Sequence, residues 1–198
     1  MLAKDHRLLG EYLASQLMEQ VSPLRVHLFL TGCVFPDHNP ETYLKGLCIG
    51  HPLKTHFYRL SRKKIERLCK KLEQKETLRL FDYYTLGTLT HFLADAFTFP
   101  HNDHFGGNML DHAYYERSLL HPAIEQYIIY QSTLPASPRR SGSLLAAFHL
   151  QHQGYLNTPP SPQCDAEHIV NICTLACALV LSKHPIWEQP QFLQKEYA

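Results

Sequence analysis

An almost unbroken apolar run that carries a histidine and an aspartate restricts what this chain can fold into. The periodicity predicts a helix over about 77–98, whose second half sets Leu86, Leu89, Phe92, Leu93, Ala94 and Phe97 around His91 and Asp95. A helix that is apolar on every side belongs at the centre of a fold. An ionised aspartate placed there is costly unless it is paired or bound to a metal. Gly87, one turn before His91, reads either as a packing glycine that admits another backbone or as an opening beside a bulky site.

The rest of the chain keeps the helical period, with no alternating stretch long enough to seed a sheet. A first helix is predicted over about 3–20, with Leu8, Leu9, Tyr12, Leu13 and Leu17 on one face and Ser22-Pro23 as its stop. A short apolar helix over 24–31 leads into a segment rich in glycine and proline (Gly32, Pro36, Pro40, Gly46, Gly50, Pro52), which reads as loop. A basic amphipathic helix over 53–74 follows, a solvated exterior or a phosphate-reading face. Helices over about 109–132, 144–155 and 165–183 complete the set, with a glycine-containing loop at 102–108 and an exposed loop at 135–142. The fold expected is all-α, a single-domain multi-helix bundle over 1–198, since 198 residues suffice for one sizeable core.

Composition removes several function classes. A formal charge of +1, from 19 basic and 18 acidic side chains, builds no field for a nucleic-acid or anionic-membrane partner. The longest apolar stretch, 13 residues from Ile169 to Leu181, is shorter than the roughly 20 needed to span a bilayer and reads as a core helix. Residues 1–6 lack the basic-then-apolar pattern of a signal peptide, so the chain reads as cytoplasmic. Its six cysteines contain no CxxC pair and read as buried reduced thiols.

Histidine is the surplus, with 14 residues. His91 and Asp95, and again His112 and Glu116, stand four apart, so each pair shares one helix face within reach of a single ion. His101 follows Pro100 at the helix end, where the chain can turn a third imidazole back, while Asp37 and His51 fall in the turn-rich segment and His6 in the first helix. These donors are oxygens and imidazole nitrogens with no thiolate, a set that suits catalytic zinc. No ExxH repeat of the di-iron bundles occurs. His56 is a second candidate for the place of His51, His104 reads as a loop or supporting residue, and Asn102 as a phosphate contact or a brace for a ligand. His27, His38, His121, His149, His152, His168 and His184 fit surface or capping positions. Phe97, Phe99, Tyr114 and Tyr115 are core or an apolar rim.

The run TLGTLTHFLADAFTFPHNDHFGGNMLDHAYYE over 85–116, preceded by GCVFPD at 32–37 and GH at 50–51, resembles the zinc-dependent phospholipase C family, whose helical fold is shared with zinc-dependent single-strand nucleases. The likeness covers roughly residues 6–121. It implies Zn2+, two or three ions: one held by His51, His91 and Asp95, a second by His101, His112 and Glu116, and a third by His6 with Asp95 bridging. Met1 takes the place that an N-terminal tryptophan amine has in secreted members. Asp37 is implied as general base or orienter of the attacking water. The implied activity is that of a phosphoester hydrolase on a phospholipid or related substrate, and Glu116, where nucleases usually carry aspartate, favours the phospholipase branch. A nuclease-like phosphodiesterase of the same fold and a non-catalytic zinc-binding interaction protein are the alternatives.

Overall fold

A computed structural model describes residues 1–38, 57–130 and 143–183, and among these there are seven helices and no strand. Helix α1 (Ala3–Leu17) buries Leu9, Tyr12, Leu13 and Leu17 on one face. Pro23 opens α2 (Pro23–His38) at its first position, where the missing N–H costs nothing, and Ser22 O accepts from Arg25 and Val26. The basic helix α3 (Tyr58–Glu73) buries Ile65, Leu68, Cys69 and Leu72 and turns Arg59, Arg62, Lys63, Arg67, Lys70 and Lys71 to solvent, so its charge is a solvated exterior.

Helix α4 (Leu80–Ala96) is the axis of the bundle, buried along nearly its whole length, with α2, α3 and α7 packed around it. Asp82 ties its start by accepting from the backbone N–H of Arg79 at 2.8 Å. After Phe97 the chain tightens into a 3-10 turn at Phe99–His101. Asn108 then caps α5 by accepting from Leu110 and Asp111; α5 runs through Met109–Tyr114, a π-helical stretch at Tyr115–Leu120, and His121–Tyr130. Helices α6 (Leu144–Leu156) and α7 (Pro162–Leu181) close the bundle, α7 being capped by Ser161.

Two expectations change here. Residues 32–38, read as loop, continue α2 through Gly32 and Pro36. The reason is tertiary: Gly32 lies against Gly87 on α4, so close that a Cβ on Gly87 would stand 2.0 Å from Phe29 O and one on Gly32 would stand 2.3 Å from Tyr84 O. Backbone meets backbone at this crossing, which settles Gly87 as the packing glycine and holds α2 helical past its proline. The apolar stretch within the helix predicted over 165–183, read as 13 residues and too short to span a bilayer, lies in α7 (Pro162–Leu181), whose apolar character extends further. By length and composition its 20 residues are enough to cross a membrane, and most of it is buried inside the bundle.

Candidate metal centre

Four helices aim side chains at one buried spot beside the C-terminal half of α4. His6 comes from α1, Asp37 from the last turn of α2, His91 and Asp95 from α4, and His112 and Glu116 from α5. His101 comes from the 3-10 turn that Pro100 forces after α4. The i, i+4 spacing works as expected on α4, whereas on α5 it spans the junction from α to π geometry. π turns recur at functional sites because they re-aim a side chain.

The donors form two groups. His6, His91 and Asp95 offer atoms within 4.8 Å of one another, and so do His101, His112 and Glu116. Asp95 joins them: its Oδ1 is 3.2 Å from His6 Nε2 and 3.6 Å from His101 Nδ1, while Oδ2 is 3.3 Å from His91 Nε2. Glu116 Oε1 stands 3.0 Å from His101 Nε2 and 3.1 Å from His112 Nε2. The Met1 amine lies between the groups, 2.9 Å from Asp95 Oδ1, 2.6 Å from Glu116 Oε1 and 3.2 Å from His101 Nε2. Asp37 Oδ1 overlooks the first group, 3.6 Å from His91 Nε2. His51, with its rival His56, lies outside the described residues.

The protonation pattern is that of a ligand set. His91 Nδ1 is 2.9 Å from the carbonyl of Cys33, which can only accept, so Nδ1 carries the hydrogen and Nε2 turns its lone pair to the carboxylates. An imidazole lone pair and a carboxylate oxygen repel at that distance unless a proton or a metal ion stands between them. His6 stacks on His91 at 3.8 Å, and burial together with that neighbour lowers its pKa to about 4. Burial also lowers that of His101, with the Met1 ammonium adding to it. Burial would raise Asp95 and Glu116, but the Met1 ammonium and the surrounding imidazoles hold both carboxyls well below the ordinary range. Burial lowers the Met1 amine, yet Asp95 and Glu116 outweigh it and raise its pKa to about 11.

Geometry points the same way. Among the described residues, His6 Nε2, His101 Nδ1 and His112 Nδ1 are buried without a hydrogen-bond partner, although His6 Nε2 and His101 Nδ1 both face Asp95. Ionised carboxylates and unprotonated imidazoles aimed past one another, with no thiolate among them, fit a borderline divalent ion such as zinc.

Several supporting residues were misread or missed in the sequence. Asn102, read as a phosphate contact or a brace for a ligand, instead ties the turn to its surroundings: it is buried, its Nδ2 donates to Ala96 O and Thr98 O, and its Oδ1 lies 3.2 Å from His152 Nε2. His152, read as a surface or capping residue, is buried and stacks on Tyr58 at 3.9 Å. His121, read likewise, bonds the fully buried Asp5 at 2.6 Å. Asp165 was not singled out, yet it is buried and accepts three hydrogen bonds. A carboxylate among Ala166, Ile169 and Val170 was the available signal. His104 is an exposed loop residue, Phe97 and Tyr115 belong to the core, and Tyr114 is exposed on α5. The cysteines among the described residues are free, four of them buried.

Among curated proteins and among solved structures, none matches the chain. The family model described as zinc dependent phospholipase C matches residues 5–158, which takes in both donor groups and extends past the run that carries the resemblance in sequence.

Proposed function

The chain belongs to the zinc-dependent phospholipase C family, and on that footing we propose that it is a zinc-dependent phosphodiesterase that cleaves a phospholipid or a related phosphoester. The observation that carries this reading is the pair of three-donor groups joined through Asp95, with a further carboxylate, Asp37, on the rim. In this reading His6, His91 and Asp95 serve one side of the centre. His101, His112 and Glu116 serve the other, and the Met1 amine, an ammonium beside Asp95 and Glu116, becomes an added donor between them once its proton is displaced by metal binding.

Zinc bound by these residues supplies a water that ionises near neutral pH and positive charge for the phosphoryl oxygens. The chain's own contributions are specific. Cys33 O holds the tautomer of His91, and burial keeps bulk water from Asp95 and His6. Asp37 takes the proton of the attacking water as its oxygen bonds phosphorus. The bond from phosphorus to the leaving oxygen breaks, and Asp37 passes the proton it took from water to that oxygen, returning to its ionised form. A module that only binds metal has no need of a carboxylate in the position of Asp37, which favours the catalytic reading over a zinc-binding interaction protein.

The test is elemental analysis of zinc per chain for the wild type and Asp95→Ala, with hydrolysis of a chromogenic phosphodiester. Two or three zincs in the wild type, mostly lost in the variant together with activity, are expected. Protein purified without chelators and found free of zinc would overturn the proposal.

A further inference from the structure

Outside the metal centre, Asp165 in the first turn of α7 carries a fully buried carboxylate. Its Oδ2 accepts from the backbone N–H of Phe99 at 2.7 Å and from the hydroxyl of Tyr115 at 2.9 Å, and its Oδ1 accepts from the hydroxyl of Tyr155 at 2.8 Å. Burial and the carboxylate itself push both tyrosine hydroxyls up, so they remain donors. Phe99 is two residues before His101, and Tyr115 is the residue before Glu116. One oxygen atom therefore ties together the 3-10 turn that carries one donor and the π stretch that carries another, and those donors meet at 3.0 Å.

We propose that Asp165 is a positioning residue for the His101–His112–Glu116 group, setting the separation of its two supporting segments and through it the affinity of that group for a divalent metal. The proposal rests on the reading of this centre as a zinc site. Asp165 bonds the segments that carry donors rather than the donors themselves. It comes from a helix beyond residues 5–158, so the family likeness does not include it. The opposite end of the same turn is held independently, by Asn102 and His152 against Ala96 O. The other group, His6, His91 and Asp95, stands on α1 and α4, and no donor to Asp165 comes from either helix. The effect is therefore selective. Residues that orient a ligand from behind typically change metal affinity by about 10- to 100-fold.

The experiment is a competition titration of the full metal-free chain with Zn2+ against a chromophoric chelator, giving an affinity for each ion. His112→Ala identifies which of them belongs to the second group. Asp165→Asn and Tyr115→Phe are expected to weaken that ion by about 10- to 100-fold and the other by less than about 2-fold. Tyr155→Phe, which removes the bond to Oδ1 alone, is expected to lower the thermal midpoint while leaving both affinities in place. Should Asp165→Asn fail to fold by circular dichroism, Tyr115→Phe decides alone. Unchanged affinities, or an equal loss of both, overturn the positioning role. A wild type that takes up no Zn2+ overturns the zinc reading, and this proposal with it.

Discussion

Replacing Gly87 by alanine sets two physical effects against each other. In the interior of a helix, alanine is favoured over glycine by about 1 kcal/mol, so propensity alone makes the variant more stable. The crossing with α2 reverses the sign. The added Cβ would lie 2.0 Å from Phe29 O, 2.9 Å from Cys33 N and 3.0 Å from Gly32 Cα. These are backbone atoms, with no side chain able to rotate away. Reaching ordinary contact requires the helices to part by about 1.4 Å against Phe29 O.

Overpacking of this kind costs about 1–3 kcal/mol and at times more, and a rigid neighbour places it at the upper end. Separation also stretches the bond from His91 Nδ1 to Cys33 O, removing about 1 kcal/mol. The net expectation is a loss of about 2–3 kcal/mol, which for a chain of this size lowers the thermal midpoint by about 4 to 12 °C. Gly154→Ala on α6 is the control, because a Cβ there meets nothing within 4 Å. It should gain about 0.5–1 kcal/mol. Urea and thermal unfolding of both variants measure the two signs. A Gly87→Ala chain as stable as the wild type would refute the backbone crossing and with it the placement of Asp37 and Cys33 over His91.

Burial lowers the pKa of His152 from 6.5 to about 4, so the unfolded chain binds its proton first. The stabilisation is complete above pH 6.5 and is lost as pH falls toward 4. That loss is on the order of 3 kcal/mol, and it should be absent in His152→Gln when the two are compared by urea unfolding across that range. Equal pH profiles would remove His152 from the buried network. Asn108→Ala strips the acceptor used by Leu110 N at 2.7 Å and Asp111 N at 3.2 Å, and should cost about 1 kcal/mol in thermal unfolding. Chelation of the purified protein should lower its thermal midpoint and zinc should restore it, because a ligand bound only to the native state stabilises it by mass action. A midpoint indifferent to both treatments counts against the metal centre.

Legibility differed from residue to residue. His91 with Asp95, and His112 with Glu116, could be paired in advance because an i, i+4 spacing carries its own geometry once the segment is helical. The central place of α4 followed from apolar residues on every face. His101 was reachable because proline ends a helix and turns the chain. The extent of α2 was not readable, since Gly32 and Pro36 are loop signals locally and only the contact with Gly87 keeps that stretch helical. Nor was the π stretch under Glu116, which no side-chain type announces.

The sequence by itself determined the order of the helices, the central position of α4 and the donor chemistry of the site, because periodicity and side-chain type are local properties. Tertiary structure alone decided that His6 stacks on His91, that Asp95 faces both donor groups, and that Asp165 reaches across to Phe99 and Tyr115. His6 and His91 are 85 positions apart along the chain, Phe99 and Asp165 66, and Tyr115 and Asp165 50, and only the packing of whole helices brings such residues together.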